Sequence, residues 1–232
     1  MPLIVLWDID HTLIENSGVS KEIYATAFAA VAGHEPLRPA RTEGRTDRLI
    51  LAEMFRDHGI EPPAWEHIVL ALEAAGAGHE AELAARGRAL PGARESLAAV
   101  AAEPDVVSSV LTGNIAANAR VKLRAFGLDV LLDMECGAYG EHSEDRAALV
   151  KVAREHIQHT HRLPHDTPVV LIGDTPRDVQ AALDSGAQVI AVASGIHSVD
   201  ELRAAGASTV LTDLRDAPAL VSYLRSLIIS AD

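Results

Sequence analysis

Apolar positions in this chain fall into two patterns. Short continuous apolar runs recur at residues 3–9, 106–111, 130–134, 168–172, 188–192 and 209–211. Apolar character without alternation over so few residues predicts strands buried on both faces of a parallel sheet. Between several runs the apolar residues recur at helical spacing, with start and stop signals. One helix is expected to begin near Pro91-Gly92 and run through Leu97 and Val100. Others are expected over 116–126, ending at Gly127, over 145–156, and over 177–184, ending at Gly186. This alternation predicts an α/β fold: a doubly wound, mostly parallel, Rossmann-like sheet with helices on both faces.

The interval between the first two runs breaks the rhythm. It holds no convincing strand, and 20–31, 46–58 and 63–86 all read as helices. Ser20 and Thr46 are the expected N-caps, and Gly33 and Gly59 the expected stops. A single crossover helix needs far fewer residues. The expectation is therefore a helical cap over 15–87, inserted into a core of 1–14 plus 88–232. It springs from the loop after the first strand, where it would cover whatever that loop holds.

Composition narrows the picture. A chain of 232 residues, 48% hydrophobic, suffices for one large domain with an insert. The net charge of −13 argues against general binding to nucleic acid or anionic membrane. Any phosphate site must then bring its own cation. The lone cysteine, Cys136, allows no intramolecular disulfide and fits a reducing compartment. It follows the apolar residues Val130-Leu131-Leu132 and is expected at the edge of the core rather than as a nucleophile. No basic leader-like start and no membrane-length apolar run appear, so a cytoplasmic protein is expected. His156, His159, His161 and His165 cluster locally. Their spacing fits no recognisable zinc site and no cysteine joins them, so they read as a polar helix end.

The chemistry concentrates at the ends of the apolar runs. The first closes in Asp8-Ile9-Asp10-His11-Thr12. Two acids so close at a strand's carboxyl end repel each other, and a fold keeps them with a cation or a proton. An ordinary turn or helix cap is the plainer alternative. The second run ends in Thr112-Gly113-Asn114, which offers a hydroxyl and main-chain N–H groups to an anion, or forms a simple capped turn. The fourth ends in Gly173-Asp174-Thr175-Pro176-Arg177-Asp178. Asp8, Asp10 and Asp174 can converge on one hard cation, and oxygen ligands suit Mg²⁺. Asp178 could also serve only as a helix-dipole partner. A fixed cation for phosphate is expected from Arg146, at a helix start, rather than from Lys151 on the helix face.

Taken in order, Asp8 to Thr12, Thr112, Arg146 and the Asp174/Asp178 pair resemble the four motifs of the haloacid dehalogenase superfamily. More closely, they resemble its Asp-based phosphatases. The position of the insert resembles the helical cap of phosphoglycolate phosphatase-like and phosphoglucomutase-like members. The resemblance implies a Mg²⁺-dependent hydrolase of a small phosphorylated metabolite, a monomer or homodimer, working through an aspartyl-phosphate. It implies Asp8 as nucleophile and Asp10 as proton carrier. It implies metal ligation by Asp8, Asp10 (through its carbonyl), Asp174 and Asp178. Phosphate binding falls to Thr112, Gly113, Asn114 and Arg146, and Thr12 is expected to fix the turn and orient Asp10.

Asp10 also sorts activities within the family. Resembling dehalogenases and phosphonatases lack an acid there; the phosphonatases use a cap lysine, and Lys21 is the only lysine in this cap. Resembling sugar-phosphate mutases carry a histidine near where Ser20 stands, which leaves mutase as the alternative, with a silent binding module behind it. Members often have Gly where this chain has His11, and Lys more commonly than Arg at the third motif. Gly44-Arg45-Thr46-Asp47 resembles a cap segment that faces the active site. Arg45 is thus a candidate for binding a second anionic group, or a solvated helix-start arginine. Arg41 and Arg48 are expected at the surface.

Overall fold

The computed structural model describes residues 2–229. The chain opens with strand β1 (Leu3–Trp7) and a short β2 (Ile14–Glu15). Helices α1 (Val19–Ala32), α2 (Asp47–Asp57), α3 (Trp65–Gly78) and α4 (Glu80–Arg86) follow, and β3 (Arg88–Ala89) closes that segment. The rest alternates: α5 (Ala93–Ala101), β4 (Val106–Leu111), α6 (Ala116–Arg124), β5 (Asp133–Ala138), α7 (Arg146–His161) and β6 (Val169–Gly173). After these come α8 (Pro176–Asp184), β7 (Gln188–Val192), α9 (Val199–Ala204), β8 (Thr209–Leu211) and α10 (Ala217–Ile229).

The main sheet has six strands in the order β5-β4-β1-β6-β7-β8, with every pairing parallel. From β1 the chain builds outward through β4 to β5, then returns past β1 to β6 and builds outward to β8, so the switch point lies between β1 and β6. Trp7 is in register with Val110 and Ile172. The residues just beyond these strand ends therefore open into one crevice, the position where such sheets bind ligands.

Side-chain alternation divides the core into two layers. Leu3, Val5 and Trp7 pack with Leu97, Val100, Leu123 and Leu224 on one face. Ile4 and Leu6 pack with Leu149, Ala153, Val179 and Leu202 on the other. A third cluster joins α1, α2 and α3 through Ile23, Phe28, Ile50, Phe55 and Leu72, and it takes in Ile115 ahead of α6. The antiparallel pair β2–β3 ties the two ends of this helical cap together.

The structure departs from the sequence expectations in places. Residues 129–131 form a 3-10 turn with Val130 80% exposed, and the strand starts later, at Asp133. Asp133 Oδ1 accepts from the N–H groups of Glu135 and Cys136 there. The stretch 63–86 is two helices, broken at His79. Helix α1 is capped by Gly18 in the left-handed region (φ 84°), two residues earlier than the expected Ser20. Thr46 does cap α2, accepting from Leu49 N at 3.3 Å.

Candidate active site

Asp8 prolongs the β1 ladder, its N–H donating to Ile172 O at 2.9 Å. The chain then turns sharply. His11 N donates to Ile14 O at 2.7 Å, and His11 adopts φ 63°. That left-handed conformation explains why glycine suits this place. Here the histidine is tied down by Glu15 Oε2, 3.2 Å from its Nδ1, and by Ser194 Oγ, which donates to its carbonyl at 2.6 Å. The turn brings Thr12 back beneath Asp8. Its hydroxyl lies 3.3 Å from Asp8 Oδ2 and 3.2 Å from Asp174 Oδ1. Thr12 thus orients Asp8 and Asp174, not Asp10 as expected. One hydroxyl hydrogen serves only one of these oxygens at a time. Burial pushes the Asp8 carboxyl up to about 7, against the pull of Arg146 and with help from the charges of Asp178 and Asp10. Burial, together with Asp8 and Asp178, also drives Asp174 well above the usual carboxylate range.

Arg146 is the first residue of α7, behind the N-cap Asp145. Its Nη2 lies 2.6 Å from both Asp8 Oδ1 and Asp178 Oδ1, and its Nε donates to Asp178 Oδ1 at 2.8 Å. The guanidinium is 8% exposed and both partners are buried. Lys151 is exposed on the same helix, so of the two it is Arg146 that reaches the acids. Asp178 Oδ2 accepts from Thr175 N and Oγ1 at 3.0 and 2.6 Å, a capping box that starts α8. Asp178 therefore anchors Arg146 and the helix, with its oxygens already engaged.

Asp10 has separate company. Lys122 Nζ donates to its two oxygens at 2.9 and 2.7 Å, Asn16 Nδ2 to Oδ1 at 2.7 Å, and Asn114 Nδ2 to Oδ2 at 2.8 Å. Ser20 Oγ adds a 3.4 Å contact. Burial alone would raise this carboxyl; the Lys122 charge and the bonds from Lys122 and Asn114 outweigh it and hold it at about 2. Sequence reading missed Lys122. A signal was present: a lysine on α6 flanked by apolar Val121 and Leu123, eight residues after Asn114.

Asn114 donates from its side chain to Asp10 and to Thr112 Oγ1, and its main-chain N–H also donates to Thr112 Oγ1, at 3.2 Å. Its donors thus hold neighbours rather than wait for an anion. Thr112 Oγ1 accepts both bonds, which leaves its own hydrogen to donate.

These groups line a cavity of about 240 Å³, with Asp8, Asp10, Thr112, Gly113, Arg146 and Asp174 on the core side. Lys21, Glu43 and Arg45 line it from the cap. Arg45 reaches the cavity, but its guanidinium is paired with Glu53. Arg41 pairs with Asp57 at the surface, and Arg48 lies over the Trp65 ring at 5.2 Å. Two contacts clamp the cap onto the core. Asp47 N donates to Gly113 O at 2.7 Å, and Asp47 Oδ2 accepts from Ile115 N at 2.8 Å. Its Oδ1 accepts from the Tyr24 hydroxyl at 2.5 Å.

Oxygens of Asp8, Asp174 and Asp178 all lie within 4.8 Å of one another. Buried carboxylates this close, two of them held well above their ordinary pKa, form a donor set suited to a hard divalent cation.

The fold and site define a capped α/β hydrolase whose acids gather at the carboxyl end of a parallel sheet. The haloacid dehalogenase-like hydrolase model matches residues 5–183, and the chain belongs to that family. It is 27% identical over 209 residues to a protein of Dickeya dadantii (strain 3937) named probable phosphatase IndB, covering 88% of this chain and 87% of that one. A hydrolase from Pseudomonas syringae shares the fold at TM-score 0.68 and 23% identity, over 96% of this chain and 99% of its own. A predicted phosphoglycolate phosphatase from Haemophilus somnus 129pt does so at TM-score 0.66 and 18% identity, over 95% and 98%.

Proposed function

We propose that this enzyme is a Mg²⁺-dependent phosphatase that hydrolyses a small phosphorylated metabolite through an aspartyl-phosphate on Asp8. The carrying observation is the division of labour in the Asp8/Asp10 pair. Asp8 lies in the cavity with Arg146 on one oxygen, and Asp10 is held apart by its own cation, Lys122. Family membership and the likeness to the Dickeya dadantii protein support phosphate esters as substrates. In this reading 1–14 plus 88–232 form the catalytic core, 15–87 the cap, and the enzyme works in the cytoplasm.

Asp8 attacks phosphorus in line, forming a P–O bond as the bond to the ester oxygen breaks. Asp10, carrying a proton, gives it to the leaving alkoxide. Water then attacks the aspartyl-phosphate, Asp10 takes its proton, and Asp8 is freed with inorganic phosphate. As found on Lys122, Asp10 is ionised and suited to the second step. To act as the acid it must leave Lys122 as substrate enters. The Thr112 hydroxyl, the Gly113 N–H and Arg146 offer positive partners to the transferred group. The phosphate would give Arg146 an acceptor in place of Asp8. Bound Mg²⁺, held by Asp8, the Asp10 carbonyl and Asp174 with Asp178 behind them, would keep Asp8 ionised and offset the charge of the phosphate. The cap keeps bulk water from the reacting centre.

The test is turnover of p-nitrophenyl phosphate and a panel of sugar and glycolytic phosphates with Mg²⁺. Wild type should release inorganic phosphate, and Asp8→Asn should lose about a thousandfold or more in kcat. Equal turnover by Asp8→Asn, or isomerisation of a sugar phosphate without phosphate release, would sink the reading.

A further inference from the structure

The cysteine and the histidine-rich end of α7 meet far from the catalytic crevice. Asp133 and Cys136 lie on β5, an edge strand of the sheet, and His161 is the last residue of α7. Strand β5 begins at Asp133, so this group sits toward the amino ends of the parallel strands, opposite Asp8. His161 Nε2 is 2.8 Å from Asp133 Oδ2. One ligand atom from each of Asp133, Cys136 and His161 lies within 4.8 Å of the other two. The carboxylate is preset: Oδ1 accepts from Glu135 N and Cys136 N, which turns Oδ2 to the histidine. Cys136 is buried, Asp133 is half-buried and His161 is exposed, so a thiol forms the floor and an oxygen and a nitrogen the rim. Sequence spacing gave no sign of this, because the cysteine comes from a different element than the histidines.

We propose that Asp133, Cys136 and His161 form a second metal site, for a borderline-soft divalent cation of the Zn²⁺ type, separate from the catalytic acids. The donor chemistry makes the distinction. Sulfur, imidazole nitrogen and one carboxylate oxygen select zinc-like ions, whereas the all-oxygen set of Asp8, Asp174 and Asp178 selects Mg²⁺. Tetrahedral zinc at about 2.0–2.3 Å from each ligand sets them roughly 3.3–3.6 Å apart, so the 2.8 Å pair of Asp133 and His161 would have to part slightly as the ion entered between them and Cys136. Water supplies the fourth position. Binding releases the Cys136 thiol proton, and the Nε2 proton of His161 where Nε2 carries one, to solvent, with no change of oxidation state. Burial raises the thiol pKa of Cys136, a penalty that a coordinated cation reverses. The negative end of the α7 dipole adds to the attraction. A bound ion would fasten the last turn of α7 to β5, and α7 is the helix whose first residue is Arg146.

Co²⁺ titrated into the full chain in excess Mg²⁺ reads the site directly. Wild type should develop a thiolate-to-cobalt charge-transfer band that saturates at one equivalent and is displaced by Zn²⁺. Cys136→Ser should abolish the band, and His161→Ala, a change at an exposed position, should weaken Co²⁺ binding by about tenfold or more. Asp8→Asn should leave the band intact. Absence of the band in wild type, its survival in Cys136→Ser, indifference to His161→Ala, or its loss in Asp8→Asn each overturns the proposal.

Discussion

The ammonium of Lys122 lies 2.7 and 2.9 Å from the two carboxylate oxygens of Asp10 and 2.6 Å from Asn114 Oδ1. Its side chain is 3% exposed and that of Asp10 25%, so it is the ammonium that would be costly to leave unpaired. The consequence is a carboxylate that stays ionised far into acid.

Lys122→Met should therefore raise the Asp10 pKa, since burial is then opposed mainly by the weaker pull of the Asn114 bond and His11. If Asp10 is the base of the second step, the acid limb of kcat against pH moves to higher pH wherever hydrolysis of the aspartyl-phosphate limits turnover. The stability sign follows from linkage. A carboxyl lowered from 3.8 to about 2 contributes stability above its unfolded pKa and loses it as pH falls toward 2. Removing the lysine costs about 1–3 kcal/mol at neutral pH, less than for a fully buried pair because the Asp10 side chain is 25% exposed, and is read from urea melts. An acid limb that stays in place would separate Asp10 from the pH-sensitive step.

Asp8 and Asp174 have the opposite sign. Their carboxyls are raised in the fold, Asp8 to about 7, so the native state binds more protons than the unfolded chain between about pH 4 and 7. In chelator, stability should fall as pH rises through that window. Mg²⁺ relieves the repulsion between ionised acids, so its stabilising shift in melting temperature should be larger at pH 8 than at pH 5. Asp8→Asn should shrink the difference. An equal or larger Mg²⁺ effect at pH 5 would mean that the cation does not bind among these acids.

Asp47 joins cap to core through Ile115 N and Gly113 O, and joins α2 to α1 through Tyr24. Asp47→Ala strands the buried Ile115 N–H and the Tyr24 hydroxyl, at about 1–3 kcal/mol each. Asp47→Asn keeps an acceptor for Ile115 and should cost less. Both should be followed by thermal melts and by kcat. If the alanine variant is no less stable than the asparagine variant, the cap is clamped elsewhere.

Much of the fold was legible because buried parallel strands print as unbroken apolar runs. The registry of Trp7 with Val110 and Ile172 then follows from the sheet, and with it the convergence of Asp8, Thr112 and Asp174. What stayed hidden is what depends on side-chain reach across elements. Lys122 sits on α6 yet serves Asp10 on the turn after β1, a partnership no spacing rule anticipates. Asp178 reads in sequence as a metal residue, and its oxygens do lie with those of Asp8 and Asp174, but that they also bond Thr175 and Arg146 is legible only in the structure. The strands β2 and β3, two residues each, carry no pattern to read. Val130 misled because an apolar residue on a 3-10 turn looks, in sequence, like one in a strand.

Gly113 reports on how closely the cap must sit. A Cβ built on it would lie 2.0 Å from the Arg45 carbonyl oxygen and 3.1 Å from Thr46 Cα, both main-chain atoms of the cap. Main chain cannot rotate away as a side-chain tip can, so Gly113→Ala must push the cap segment 45–47 off the Thr112-Gly113-Asn114 loop. That movement breaks the Asp47 N to Gly113 O bond and opens the cavity to water. A displacement of about 1 Å at a positioned site costs on the order of a hundredfold in rate. Gly113→Ala should lower kcat/KM by about that factor, while the α/β core, built on other contacts, keeps its far-ultraviolet circular dichroism. Wild-type kinetics in this variant would mean that turnover does not require the cap seated as it is on Gly113.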